Sequence, residues 1–400
     1  MPPLPELTGL AQARSRFALI FVAHALGAMS VLSVLTAGPQ LVATLGLTPL
    51  QLGGLASIYS AALAAASFPA GLVVDRLGTR SALALAALAI AAGLALAAFA
   101  RGYAQLGLGM AVCGGGYGLI NPAAGRAITL WFTPKWRATL LSLKQAGVPA
   151  GAAVGSMTAL IGPADWGQAG ILCASVIALV AAFLFGVLLP TEKPQDLRSD
   201  RDQNRIRAIL LLPELGRANL AAGVTNGVQF ALWAHVPALL HHVFSSGTAV
   251  LGLAVAALHA GTFVGRVAWG VLTDRVLRGD AARALCLLCA AALPGVAALA
   301  GLTLFPQPAL AVLGCFLLGF TVCAAVGLHV ALTTRLAPPP LLGGALGYTM
   351  LVTNLGGVCV PLLIGFALAV AGTVGAALVL AVLLGLALAF LRAPFNPTKG

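Results

Sequence analysis

Charged side chains are the scarcest feature of this sequence. They make up 8% of its 400 residues, against about 25% in an average soluble domain, while 60% of the residues are hydrophobic. A soluble chain has no way to cover that much apolar surface. All ten acids (Glu6, Asp75, Asp165, Glu192, Asp196, Asp200, Asp202, Glu214, Asp274, Asp280) lie in predicted loops, tails or helix ends. With no carboxylate inside an apolar run, a cationic substrate gripped by Asp or Glu is disfavoured, and so are the commonest proton-carrying side chains. Also missing are a nucleotide-binding loop, an H-E-x-x-H motif, a serine nucleophile elbow and an intramembrane acid pair, so neither an enzyme activity nor a cofactor is expected. The seven cysteines all fall in apolar segments, where a thiol behaves as a small hydrophobe. Cys286 and Cys289 have C-x-x-C spacing but no second pair or histidine set beside them, so no metal site is expected.

What the chain does have is apolar length. Runs of about 20 residues, enough to cross roughly 30 Å of hydrocarbon as helices, recur from end to end. Dividing the sequence at charges and turn residues predicts spans at 17–43, 49–74, 81–100, 104–131, 139–162 and 167–190, then 217–242, 248–273, 282–305, 309–333, 343–370 and 373–392. The expected fold is an all-α membrane protein with twelve transmembrane helices, in which the 48 glycines and 23 prolines serve as packing and hinge residues. Between the sixth and seventh spans, Thr191 to Gly216 holds a dense run of charge and reads as a linker. The domains expected are thus a six-helix bundle over 1–190, a cytoplasmic linker over 191–216 and a second bundle over 217–400. Proline and Glu6 precede a long apolar run, so a cleaved signal peptide is not expected.

The net charge of +12 is dispersed along the chain. Placed on the predicted spans, 18 of the 22 Lys and Arg residues fall in inner segments and only Arg101 in an outer loop. This positive-inside bias predicts an inner-membrane protein with both termini cytoplasmic. Anionic lipids then account for the basic residues, and no nucleic acid is needed as a partner. The sequence also repeats itself. "GLVVDRLGTR" from Gly71 and "GVLTDRVLRG" from Gly270 place Gly71 and Gly270, Asp75 and Asp274, and Arg76 and Arg275 at one offset of 199 residues. Duplicated halves with a site between them are a transporter architecture.

These residues resemble the major facilitator superfamily, whose signature G-x-x-x-D-R-x-G-x-R is met by Gly71, Asp75, Arg76, Gly78 and Arg80. The second copy keeps Gly270, Asp274 and Arg275 and then drifts. "GPQLVATLGLTPLQLGGLASIYS" (Gly38 to Ser60) and "LKQAGVPAGAAVG" (Leu143 to Gly155) are similar to the family's first-to-second-helix passage and its fifth helix. The resemblance implies two pseudo-symmetric six-helix bundles that rock about a central cavity; a functional monomer is expected. Asp75 sits at the C-terminal end of its helix, where its charge opposes the dipole and requires compensation. Arg76 and Arg80 are local candidates, and the resemblance implies a conformational latch to the start of the eleventh helix. Gly147, Gly151 and Gly155 clear one face of the fifth helix, either for static packing or for a sliding contact between the halves.

Basic residues, unlike acids, do enter the spans. Arg266 lies eight residues before Asp274, about 12 Å up the eighth helix. His259, Thr262 and Thr273 share its face, and a guanidinium there is suited to grip a carboxylate through two hydrogen bonds. "GRVAWGVLTDR" is similar to the eighth helix of oxalate/formate exchangers and monocarboxylate transporters, which implies that Arg266 binds the substrate anion; hydrogen bonding to neighbouring helices is the alternative. Arg126 and Lys144, near inner helix ends, either bind substrate or only make the vestibule positive. Tyr117 and Asn121 share one face of the fourth helix, and Arg126 lies well round from both. Asn226, Gln229 and Trp233 form a stripe on the seventh helix that orients a polar ligand or bonds between helices. His24, His235, His259 and His329 are the candidates for a coupling proton, His259 foremost. Aligning Gly114, Gly116 and Gly118 on the G-x-G-x-G run of drug/proton antiporters puts Met110 where that branch has an arginine, which counts against its mechanism.

The function expected is secondary or facilitative transport of a small organic anion, a carboxylate, by alternating access. Its alternatives are an exporter of neutral or amphipathic compounds and a membrane receptor that does not transport.

Overall fold

The computed structural model describes residues 6–132, 140, 143–160, 167–191, 210, 212–244, 248–338 and 342–392, and no strand occurs among them. Its helices are α1 (Glu6–Thr36), α2 (Gly38–Leu45), α3 (Pro49–Ala98), α4 (Tyr103–Trp131), α5 (Gly147–Leu160), α6 (Gly167–Leu188), α7 (Pro213–Phe244), α8 (Thr248–Arg275), α9 (Ala281–Gly301), α10 (Pro308–Phe320), α11 (Val326–Leu336) and α12 (Leu342–Arg392).

Two of these helices are really two crossings each. α3 turns at Gly78 (φ 75°) and α12 at Gly372 (φ 62°). Both lie in the left-handed region where only glycine escapes a Cβ clash, and both fall between adjacent predicted spans. Conversely, α10 and α11 form one crossing interrupted by a 3₁₀ turn, Val322–Ala324. Eight helical segments among the described residues are long and apolar enough to cross a membrane, the last of them covering both arms of α12. α4 and α7 fall short because polar residues and glycine dilute them, and α5 because it has only 14 described residues. Together these make twelve crossings. Some starts follow clear local chemistry: α3 opens on Pro49 behind a capping box in which Thr48 and Gln51 exchange side-chain and backbone hydrogen bonds.

Burial runs opposite to a soluble bundle. The more apolar α6 sits at the periphery, with Phe183 69% exposed, while α7 buries Asn219, Thr225, Asn226, Gln229 and His235. Close backbone approach at glycines adds to a core of leucine, alanine and aromatic side chains such as Leu32, Leu55, Tyr59 and Phe185. Gly147, Gly151 and Gly155 of α5 face the backbones of Phe21, Ala25 and Met29 of α1. The glycine stripe therefore packs within the first half, and the expected alternative of a sliding contact between halves is not what these glycines make. The segment 192–209, most of the expected linker, lies outside the described residues, and α7 begins at Pro213, just before the linker's expected end.

Candidate functional site

Among the described residues, two seams carry most of the contact between the halves, and α7 adds further contacts to α1, α2 and α3. In one, α3 lies on α12: Gly53 faces the Pro361 carbonyl, Gly357 faces Ser60, and Ser57 Oγ donates to the Val358 carbonyl at 2.5 Å. His235 Nε2 of α7 approaches that same Pro361 oxygen at 3.0 Å. In the other, α5 faces α8 through side chains. Ser156 Oγ lies 2.9 Å from His259 Nε2, and Arg266 Nη1 donates to the Gln145 carbonyl at 2.7 Å.

Gln145 occupies the turn just before α5, and Lys144 precedes it. Lys144 is 5% exposed and its Nζ donates to Asn121 Oδ1 at 3.1 Å. His24 Nε2 lies 3.1 Å from the same oxygen. An ammonium only donates, so it fixes which end of the Asn121 amide faces it; His24 must then carry a hydrogen on Nε2. Arg266 is partly buried, and its Nε has no hydrogen-bond partner among the described residues. The acceptors described for both cations, an amide oxygen and a backbone carbonyl, are neutral.

Above the cations runs a chain of rings that bridges the halves. Tyr117 stacks on Tyr59 at 6.5 Å, Tyr59 meets Phe230 at 6.3 Å, Phe230 meets Trp233 at 5.0 Å, and Trp233 meets His259 at 6.5 Å. Thr36 Oγ1 donates to Ser156 Oγ at 3.1 Å and closes the rung onto α1. Beside it, a groove of ≈ 340 Å³ between α5 and α8 leads outward from Ser156 and His259 past Ala153, Val255, Met157 and Phe263.

The residues singled out from sequence are distributed unevenly over this arrangement. Arg266, His259, Gln229 and Trp233 belong to the second half's side of the column, and Tyr117 and Asn121 to the first half's side. Asn226 Nδ2 donates to the Thr353 carbonyl at 2.9 Å, which ties α7 to α12. Thr262 and Thr273 bond back to Leu258 and Trp269 of their own helix, so the expected polar stripe on α8 reduces to His259 and Arg266. Arg126 is partly buried five residues before the end of α4. His329 pairs with Thr225 at 2.9 Å inside the second half.

The latch residues are less informative. Arg80 Nη1 donates to Thr191 Oγ1 at 3.0 Å, joining the third crossing to the end of α6 within the first half. Arg76, Asp274 and Arg275 are exposed. Gly71 and Asp75 lie in α3, but the Asp75 side chain and residues 339–341, which precede α12 in the sequence, lie outside the described residues. The second copy of the motif drifts because its turn is longer: Arg278 (φ 54°) and Gly279 (φ 78°) make it, beyond the position equivalent to Gly78. Arg335 Nη1 closes this turn onto the Gly279 carbonyl at 2.7 Å.

Sequence reasoning missed Tyr59, Phe230, Ser156 and the Gln145 carbonyl. An aromatic or a serine inside an apolar run carries no mark that separates it from core. Lys144 did carry a signal, a cation just inside a span, which only the convergence of His24 and Asn121 makes specific.

Two six-helix halves with a polar, cation-bearing seam between them define a membrane-transporter class. The sequence profile of the Major Facilitator Superfamily matches residues 19–348. The chain belongs to that superfamily, a multi-pass transporter family rather than an enzyme family. It is 30% identical over 254 residues to an uncharacterized MFS-type transporter of Mycobacterium tuberculosis (strain H37Rv), across 61% of this chain and 55% of that protein. It is 25% identical over 178 residues to a hexuronate transporter of Bacillus subtilis (strain 168), across 44% of this chain and 42% of that one. The chain thus spans about half the length of the curated relatives it matches. Among solved structures, a bacterial homologue of the human lysosomal transporter Spinster, inward-facing and unoccupied, has a TM-score of 0.74 at 15% identity, covering 95% of this chain and 96% of that one. The nucleoside transporter NupG has a TM-score of 0.75 at 13% identity, covering 94% and 98%. At those identities the likeness concerns the fold alone.

Proposed function

We propose that this chain carries a small organic anion across the membrane by alternating access, with Arg266 and Lys144 as the cations that meet it. The observation that supports this reading is the pair itself, one cation from each half, Lys144 buried and Arg266 partly buried, each held by a neutral acceptor among the described residues. A cation taken out of water without a counter-charge is costly. A carboxylate supplies the missing charge, and the planar Arg266 fork donates to two of its oxygens at once. Binding then replaces the Gln145 carbonyl on Arg266, loosens the α5–α8 seam and biases the relative position of the halves. Hexuronate, the cargo in the name of the Bacillus relative, is an anion of the same class.

The orientation belongs to the same proposal: an inner-membrane protein with both termini cytoplasmic, working as a monomer, with bundles over 1–190 and 217–400 and a linker between. So do a latch at Asp75 and, should a proton be coupled, His24 and His259 as the imidazoles of the column. Carboxylate uptake into proteoliposomes tests the reading. Arg266→Ala is expected to abolish it, and Arg266→Lys, which keeps the charge but loses the fork, to lower it by more than tenfold. Undiminished uptake in both variants would overturn the anion assignment. The groove of ≈ 340 Å³ beside His259 favours a second reading, export of amphipathic compounds entering from the lipid. Transport of such compounds with no response to carboxylates would support it.

A further inference from the structure

Among the described residues, three buried polar atoms on α7 and α8 in the central column, Arg266 Nε, Gln229 Oε1 and Trp233 Nε1, have no hydrogen-bond partner. Gln229 and Trp233 are each 3% exposed. Buried polar groups in native proteins nearly always find partners, so three orphans on facing elements describe what is missing between them.

Their levels follow from the helices. The contact of Trp233 with His259 sets α7 against α8 at one height. From there Gln229 lies one turn, about 6 Å, along α7, and Arg266 lies seven residues, about 10.5 Å, along α8. Consecutive crossings run in opposite directions, so both steps lead toward the same membrane face. The orphaned groups thus rise in order from guanidinium to amide to indole. A ligand that reaches all three needs several carbons between its acid and its far end.

Their chemistry narrows the ligand further. Arg266 Nε–H and Trp233 Nε1–H can only donate, and Gln229 Oε1 can only accept. An alkyl group serves neither Gln229 nor Trp233. An amine serves Gln229 but offers a protonated nitrogen no use at Trp233, and a second carboxylate serves Trp233 but has no proton for Gln229. A hydroxyl does both.

We propose that the transported anion is a polyhydroxylated carboxylate, its acid on Arg266 and its hydroxyls on Gln229 and Trp233. Phe230 and Tyr59 wall the same level with apolar surface suited to the carbon-bound hydrogens of such a chain or ring. The inference rests on the anion reading above and adds to it that Gln229 and Trp233 determine specificity.

Binding of glucuronate and of cyclohexanecarboxylate, equal in charge and similar in ring size, to the purified full-length protein in nanodiscs tests this by calorimetry. Glucuronate is expected to bind at least about tenfold more tightly, because the unhydroxylated acid leaves buried groups unmatched. In Gln229→Leu and Trp233→Phe this ratio is expected to fall about tenfold toward one. Equal or tighter binding of cyclohexanecarboxylate by the unaltered protein would overturn the inference, as would a ratio unchanged in both variants. If cyclohexanecarboxylate binds and the Arg266→Gln variant loses it while hydroxyls add nothing, only this inference fails. If neither acid binds, the anion reading fails and this falls with it.

Discussion

The two seams between the halves occupy equivalent places in the duplicated frame, yet they are built differently. The repeat offset maps the second crossing onto the eighth, and chain order maps the fifth onto the eleventh, so α3 on α12 and α8 on α5 are the same pairing in opposite halves. At α3–α12, glycines let the helices close on each other, with Gly53 under the Pro361 carbonyl and Gly357 against the Ser60 side chain, and only small hydroxyls enter the contact. At α5–α8, side chains span the gap, and one of them is a guanidinium. The position of the first half that corresponds to Arg266 is Ser67, whose hydroxyl simply bonds back to the Leu63 carbonyl at 2.6 Å. The α3–α12 seam is close-packed, and none of its contacts given above involves a charged side chain. A seam of side chains can exchange one partner for another, and under the proposed function Arg266 is the group that makes that exchange.

The largest effect that would break this comparison comes from filling the bare seam. A Cβ at position 53 has no space beside Pro361, so Gly53→Ala is expected to destabilise the protein by about 1–3 kcal/mol through overpacking and to lower transport more than tenfold. Gly115→Ala, in α4 where a Cβ meets nothing, is the control and should leave melting temperature and uptake near their original values. If both behave alike, close backbone approach is not what closes α3 on α12. A smaller effect sharpens the other side. Ser156→Ala leaves His259 Nε2 buried without its partner, at a cost of about 1 kcal/mol in thermal or denaturant unfolding, and loosens α5–α8 without removing a charge. Uptake should change severalfold at most, far less than in the Arg266 variants.

The architecture was largely legible because membrane insertion is a one-dimensional problem. Apolar length and the placement of arginines are written along the chain, and the breaks at Gly78 and Gly372 fall where polar or small residues interrupted the spans. The interruption of the tenth crossing was not legible. Residues 309–333 read as one helix, but Thr321 leaves the helical region (φ −101°, ψ −101°), and the Phe320 carbonyl takes a hydrogen bond from Trp269 Nε1 at 2.8 Å. That partner is 51 residues away, and no local pattern announces it. The site was legible by type and not by assembly. Arg266 stood out because an intramembrane cation needs a reason, whereas His24, Asn121 and Lys144 meet only in the folded bundle. The glycines of α5 showed that a close contact existed without showing that α1 would supply it.

The central claim, that the polar seam and not the bare one holds the anion, is tested most directly by ligand-induced thermal stabilisation of the purified protein with glucuronate. Saturable stabilisation is expected for the unaltered chain, about 2.7 kcal/mol at a hundredfold excess over Kd. It should be lost in Arg266→Gln and reduced at least tenfold in apparent affinity in Lys144→Met. Full stabilisation of both variants, or none of the unaltered protein, would contradict the claim.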